Sequence, residues 1–258
     1  MSDWSPTQYL RYAGHRLRPA LDLLAQIPAE APQSVYDLGC GPGNVTRILA
    51  ERWAAASVKG LDSSAEMLAK ARAERDLPTN VSFETADLHT WSPASQVDVL
   101  YSNAALQWLT QHEVLFPRLL NHLRPGGTLA VQMPRNHAAP SHTSMLEAAS
   151  NVGLLEELRP VMRLHPVAEP AFYYDVLAPL AAKVDIWETT YVQPLEGDNP
   201  VVEWTKGSAL RPLLDALDER KRAIYQAEYS RLTAAAYPRR TDGRTLLPFR
   251  RLFIVATR

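Results

Sequence analysis

Val35-Tyr36-Asp37-Leu38-Gly39-Cys40-Gly41-Pro42-Gly43-Asn44 is the stretch that decides the fold. Its first residues are a short β-rich run, the five residues 39–43 hold three glycines, and Val45, Ile48 and Leu49 follow at helical spacing. A strand that enters a glycine-rich turn and leaves it as a helix opens a βαβ unit. Glycines at Gly39, Gly41 and Gly43 let the backbone approach a ligand that a Cβ would exclude, so the turn reads as a nucleotide cradle. Taken alone, the same turn also suits a structural bend or a dinucleotide fingerprint.

Outward from this turn, β-rich runs at Ser34–Leu38, Ser57–Asp62, Val81–Thr85, 97–102 and 128–133 alternate with helix-like stretches at 44–53, 64–75 and 115–123. That rhythm predicts a mostly parallel sheet, with Ser63 or Ser64 as an N-cap. The third helix is expected to stop at Arg124-Pro125-Gly126-Gly127, where the glycines turn the chain into the next strand. After Met133 the alternation breaks. Residues 134–182 and 201–237 read as two helical insertions, separated by a strand at 184–192 and followed by an apolar last strand at 252–256. The expectation is one domain over 1–258, with a cofactor-binding core at 34–134, a helical cap from 1–32, 135–182 and 198–245, and final strands at 183–192 and 250–257.

Three carboxylates narrow the ligand. Asp37 ends the first strand, where it would repel a pyrophosphate and attract a cationic amino or sulfonium group. Asp62 ends the second strand, nineteen residues after Gly43, in position to accept from both ribose hydroxyls. Asp87 and Leu88 follow the third strand, where a carboxylate and a backbone N–H would meet an adenine. Ribose, adenine and a cationic tail together describe S-adenosylmethionine. Ser63, Met67 and Asn103 complete the candidate cofactor set with Asp37, Gly39, Gly41, Gly43, Asp62, Asp87 and Leu88.

Over residues 34–134 the chain resembles class I S-adenosylmethionine-dependent methyltransferases. The resemblance implies a Rossmann-like, seven-stranded sheet whose last strand is antiparallel to the rest. A finer resemblance runs nearly end to end, carried by Trp4-Ser5-Pro6, Tyr9-Leu10, Arg18-Pro19, Asn103-Ala-Ala-Leu-Gln107-Trp108-Leu109, Val131-Gln-Met-Pro134, Tyr173-Tyr-Asp175, Leu210-Arg-Pro212 and Arg251-Leu-Phe-Ile-Val-Ala256. These segments are similar to the trans-aconitate 2-methyltransferase family, which implies methyl-ester formation on a small polycarboxylic acid. The chain departs from the family's pattern at Lys206-Gly-Ser-Ala and near Pro248-Phe-Arg250.

A carboxylate acceptor is ionised at neutral pH, its pKa lying near ~4, so no catalytic base is expected. The groups to seek are those that hold carboxylates. Arg16, Arg18, Gln107, Trp108, Tyr174, Arg211 and Arg251 are the candidates, each with an ordinary surface or core role as its alternative. Arg16 and Arg18 have a further one, the cofactor's own carboxylate. Arginine outnumbers lysine 22 to 5, which fits such pockets and fits a GC-rich genome equally. An apolar cap pocket would instead suit a natural-product or quinone-like acceptor.

A formal net charge of -1 offers no field to gather nucleic acid or an anionic membrane. One cysteine, Cys40, leaves no intramolecular disulfide and points to a reducing compartment. Residues 1–6 show no basic or apolar leader pattern, and no run approaches a membrane span, so the expected location is the cytoplasm. The seven histidines show no metal-binding spacing, and no metal is expected. Oligomeric state is not legible.

Overall fold

The computed structural model describes residues 17–162, 167–207 and 209–258. Contacts divide the chain into two compact units, one of residues 1–134, 166–189 and 251–258 and the other of residues 135–165 and 190–250.

The first unit is built on a sheet whose early strands alternate with helices, as the spacing predicts: β1 (Ser34–Leu38), α2 (Asn44–Arg52), β2 (Ser57–Asp62), α3 (Ala65–Ala73), β3 (Val81–Thr85) and β4 (Val97–Asn103). These follow α1 (Arg18–Ala25) and precede α4 (His112–Asn121), β5 (Leu123–Pro134), β6 (Lys183–Leu195) and β7 (Thr245–Thr257). The seven strands lie in the order β3-β2-β1-β4-β5-β7-β6. β1 is parallel to β2 and β4, β3 to β2, and β5 to β4, whereas β7 runs antiparallel to β5 from Thr128↔Thr257 to Pro134↔Arg251. Strand order reverses between β1 and β4, and the crevice outside the carboxyl ends at such a reversal is where open α/β sheets bind ligands.

Helices cover the sheet because their buried faces are apolar. α1 buries Leu21, Leu23 and Leu24, and Tyr101 on β4 donates its hydroxyl to Ala20 O at 2.8 Å. α4 buries Leu115, Phe116, Leu119 and Leu120 in a core that also holds Leu100, Leu129, Tyr173 and Ile254. The loss of exposure of such side chains, ~25 cal/mol per Å² of apolar surface, is the main term holding the layers together.

Two expectations need correction. Arg124-Pro125-Gly126-Gly127 is not a turn between helix and strand: α4 has already ended at Asn121, and all four residues lie within β5, whose pairing with β4 shifts register between Val97 and Val99. Leu123 pairs with Val97 and Thr128 with Val99, so residues 124–127 loop out of the pairing with Gly126 at φ +80°; the glycines bend the chain as a bulge inside β5. The helix itself accommodates Pro117. The two final strands are also longer than their apolar runs suggested: β6 continues to Leu195 past the buried Tyr191 and Gln193, and β7 begins at Thr245, where Thr245 and Leu247 are buried and Pro248 is exposed.

The second unit holds α5 (Pro140–Asn151) and α10 (Glu219–Ala236), with short helices including α8 (Pro200–Lys206) and α9 (Arg211–Asp215). Tyr225 and Tyr229 lie one turn apart on α10 and are fully buried. Their hydroxyls donate to Met145 O and Ser141 O, at 3.1 and 2.7 Å. Residues 17–32 and 167–182, assigned from sequence to the cap, belong instead to the first unit. α1 and α7 (Pro170–Leu177) bury leucine and tyrosine side chains, an apolar payload that explains the placement.

Candidate active site

The glycine turn spans the gap between β1 and α2 and is tied to the end of β2. Gly39 N and Cys40 N donate to Leu61 O at 2.8 and 2.9 Å, and Gly41 N donates to Asp62 Oδ2 at 2.8 Å. The other Asp62 oxygen accepts from Ser64 N, also at 2.8 Å. Asp62 therefore shapes the turn as well as offering its remaining lone pairs to a ligand. Ser64, not Ser63, is the N-cap of α3, accepting from Met67 N at 3.2 Å; Ser63 is exposed and Met67 is partly so.

The glycines do different work. Gly39 has a φ of +74°, and a Cβ there would collide with the Cβ of Ala105 in the segment after β4. Gly41, at φ +56°, would carry a Cβ that meets no atom within 4 Å. No packing excludes a side chain there, so it is the left-handed backbone that calls for glycine, and the space beside it is open. A Cβ on Gly43 would press on Phe83 Cζ at 2.8 Å, so that glycine serves packing between α2 and β3. An open face over Gly41 beside the Asp62 carboxylate fits the ribose and amino-acid portion of S-adenosylmethionine.

Asp37 is only 2% exposed, and its Oδ2 accepts from the Thr46 hydroxyl at 2.6 Å. Burial, opposed by the Thr46 hydrogen bond and reinforced by the nearby Asp62 charge, raises its pKa from 3.8 to about 7. A buried acid that ionises near neutrality gains most from a cation, and the donor's positive end is a suitable one. Thr46 was not singled out from sequence; its place two residues into α2 gave no signal of this bond.

Beyond β3, Asp87 is exposed and its Oδ1 accepts from His89 N at 2.9 Å, while Leu88 is buried. Arg118 on α4 fixes this loop by donating to Leu88 O at 2.5 Å. Asn103 ends β4 with a buried Oδ1 that has no hydrogen-bond partner.

The segment after β4 is tightly specified. Ala104 adopts φ +55°, uncommon for a residue with a Cβ, and is held by Ala104 N donating to Gln132 O at 2.9 Å and by Gln107 Nε2 donating to Ala104 O at 2.7 Å. The 3₁₀ turn Leu106–Trp108 is anchored by His112, whose Nε2 lies 3.0 Å from Leu106 O and whose Nδ1 lies 2.7 Å from Tyr173 Oη. Ala168 N donates to the same tyrosine oxygen at 3.2 Å. With Nε2–H donating to the carbonyl, Nδ1 accepts from the tyrosine hydroxyl, a chain that requires neutral imidazole. Burial lowers the His112 pKa in the same sense. Nothing in the sequence marked His112, since a lone histidine beginning a helix has many ordinary roles.

The substrate candidates are placed unevenly. In the first unit Gln107 is buried, while Trp108 and Tyr174 are exposed aromatics at 46% and 54%. Arg251 is buried midway along β7, opposite Pro134 at the carboxyl end of β5, and its Nη1 donates to Gln132 Oε1 at 3.0 Å. Arg18 is exposed, 3.8 Å from Asp22. In the second unit Arg211 begins α9, exposed and 3.6 Å from Asp215. Arg16 lies outside the described residues. The structure thus brings Arg251 and Gln132 together and leaves Arg18 and Arg211 in surface ion pairs with their own helices.

Comparison with known proteins agrees with this architecture. A family model for a methyltransferase domain matches residues 35–127. A trans-aconitate 2-methyltransferase of Azoarcus sp. is 48% identical over 258 residues, covering 100% of both chains. One of Methylobacterium radiotolerans is 47% identical, covering 99% of this chain and 98% of the relative. The chain belongs to the trans-aconitate 2-methyltransferase family. It is accordingly a class I, S-adenosylmethionine-dependent methyltransferase. Distant solved structures share the fold: Bacillus subtilis YcgJ, with a TM-score of 0.58 at 11% identity, covers 93% of this chain and 97% of its own. A Haemonchus contortus phosphoethanolamine N-methyltransferase 2 in complex with S-adenosyl-L-methionine has a TM-score of 0.56 at 17% identity, covering 93% of this chain and 52% of its own. Among the described residues no helix is long and apolar enough to cross a membrane.

Proposed function

We propose that this protein methylates one carboxylate of trans-aconitate, giving a methyl ester. The observation that carries the reading is full-length similarity at 48% identity to relatives of that name. A buried arginine at the carboxyl end of the sheet, suited to an anionic acceptor, agrees with it. In this reading Gly39, Gly41, Asp62, Ser63 and Met67 line the cofactor's ribose and amino-acid portion, and Asp87 and Leu88 the adenine. Asp37 and Asn103 serve the cationic end, and Arg251 and Gln107 the acceptor, with Trp108 and Tyr174 as exposed aromatic walls.

When bound, S-adenosylmethionine supplies an electrophilic methyl group on a positive sulfur. The acceptor carboxylate is ionised at neutral pH, its pKa lying near ~4, so no residue needs to remove a proton. What the chain's residues do is hold two ligands in line and exclude water, a contribution worth up to ~7–11 kcal/mol in favourable cases. Asp62 and the glycine turn fix the donor. Arg251 orients the acceptor and offsets its charge.

Net charge -1 supports a small-molecule acceptor over nucleic acid, and the buried free Cys40 fits a reducing cytoplasm. A second reading, an apolar natural-product acceptor, draws on a cleft of about 480 Å³ within the second unit, lined in part by Pro140, Val192, Leu246 and Pro248 with Tyr237 and Arg240. Methyl transfer from labelled cofactor across polycarboxylates and apolar phenols separates the two. The expected product is alkali-labile and releases methanol. An alkali-stable product, or transfer to phenols alone, refutes the ester reading.

A further inference from the structure

We propose that Gln132 is a specificity-determining residue that, with Arg251, seats the acceptor carboxylate that is not methylated. The inference deepens the polycarboxylate reading and rests on it. Gln132 is 0% exposed near the carboxyl end of β5, a run of buried residues in which a primary amide is out of place unless its polar atoms are used. Its Oε1 accepts from Arg251 Nη1 at 3.0 Å, while its Nε2 has no hydrogen-bond partner.

The neighbouring strand supplies the complement. Asn103 is the register partner of Gln132 on β4, and its Oδ1 is likewise buried and without a partner. Register partners of adjacent strands share a face of the sheet, yet these amides do not bond each other. A buried donor left without a partner is costly, so the arrangement favours a ligand that satisfies it. An anion does so for the Gln132 amide. Arg251 adds the charge: it pairs opposite Pro134, two residues along β5 from Gln132 and therefore on the same face. Gln132, being neutral, orients the guanidinium without adding a negative charge of its own beside it.

The seat suits the spectator carboxylate more than the reacting one. An oxygen engaged by a guanidinium and an amide donates its lone pairs to those hydrogens and is a poorer nucleophile. The reacting carboxylate needs a free oxygen in line with the donor. A diacid or triacid fills both requirements at once; a monoacid fills one.

The test compares Gln132→Leu, which removes both polar atoms, with Gln132→Glu, which keeps an acceptor for Arg251 but replaces the amide donor with a negative charge. Thermal melting and S-adenosylmethionine titration establish that each variant is folded and binds the donor. The expected result is a KM for trans-aconitate raised at least about tenfold in Gln132→Leu and further in Gln132→Glu, with the donor's Kd within twofold of wild type. Wild type and Gln132→Leu should converge on a monocarboxylic analogue. If Gln132→Leu does not fold, Gln132→Glu decides. Folded variants with unchanged KM would assign Gln132 to sheet packing and overturn the proposal, as would a loss confined to donor binding. A wild-type enzyme active on trans-aconitate with unaffected variants refutes the Gln132 role alone; a wild type that binds the donor and methylates no polyacid overturns both readings.

Discussion

Replacing Asp37 with asparagine should stabilise the ligand-free protein above neutral pH and weaken its hold on the methyl donor. The Asp37 carboxyl is 2% exposed and accepts from Thr46 Oγ1 at 2.6 Å, and its pKa rises from 3.8 to about 7 chiefly because burial penalises the charged form. An acid with a folded pKa above its unfolded one binds its proton more tightly in the folded chain. Its contribution to stability therefore falls as pH climbs from about 4 and levels off above about 7. At ~1.4 kcal/mol per pKa unit, the full cost of ionising it is about 4 kcal/mol. Asparagine keeps an oxygen for the Thr46 hydroxyl and carries no charge. The variant should gain up to about 4 kcal/mol over wild type at pH 8, with most of that gain absent at pH 4.5. Donor binding should move oppositely. Wild-type affinity for S-adenosylmethionine should rise toward tenfold per pH unit below 7 and flatten above it, because the cation is matched by ionised Asp37; the variant's affinity should be weaker at pH 8 and nearly pH-independent. Urea melts at pH 4.5 and 8, with titration calorimetry between pH 6 and 8, read both effects. A variant no more stable than wild type at pH 8, with the same pH dependence of donor binding, would refute the assignment of a buried charge that awaits a cation.

Gly41→Val should abolish donor binding with the fold retained, whereas Gly39→Ala should destabilise the turn itself by forcing Ala105 away; melting and titration of both variants separate a ligand clash from a packing clash. Asp62→Ala should lose donor affinity together with about 1–3 kcal/mol of stability, since Gly41 N and Ser64 N both lose their acceptor, and an unchanged Tm would show that Asp62 does not hold the turn. His112→Phe should cost about 1–3 kcal/mol by removing the ring nitrogens that meet the Tyr173 hydroxyl and Leu106 O. Because burial lowers the His112 pKa, the wild type should lose stability as pH falls below 6.5, and the variant should lack that component in matched melts at pH 5 and 7.5.

Much of the cofactor side was legible because strand ends repeat. Each of β1, β2 and β3 leads into a loop with an aspartate at or just past its end, and the register of Asp37, Asp62 and Asp87 follows from strand spacing alone. The reach of each carboxylate was not legible. Asp62 turned out to bind the turn's own backbone and Asp37 a threonine nine residues on, at the start of α2, contacts set by φ/ψ values near the glycines that a sequence pattern does not encode. On the acceptor side, exposed arginines look the same as buried ones. Arg18 and Arg211 both stand four residues before an acid on a helix, and that spacing is the readable sign of the surface pairs they form. Gln132 did carry a signal, a polar residue inside the run Leu129-Ala-Val-Gln-Met133. Its meaning needed the register with Asn103 and Arg251.

The sheet order gives the site a polarity that no single residue has. Along the edge where parallel strands end, β2 brings Asp62 and β1 brings Asp37, β4 and β5 bring the neutral amides Asn103 and Gln132, and antiparallel β7 begins its pairing with Arg251. Acid therefore gives way to amide and then to base across five adjoining strands. With strands ~4.8 Å apart, β1 and β7 are separated by three spacings, roughly 14 Å, about the span of two small ligands placed end to end. Under the proposed function, a positively charged donor would be drawn to the first half and a polyanionic acceptor to the second. Their reacting atoms would then meet near β4, where the strand order reverses. Antiparallel β7 is what makes this possible. A parallel strand at that place would need a residue at its carboxyl end to supply the cation, whereas the antiparallel one enters the sheet with Arg251 already at the correct edge.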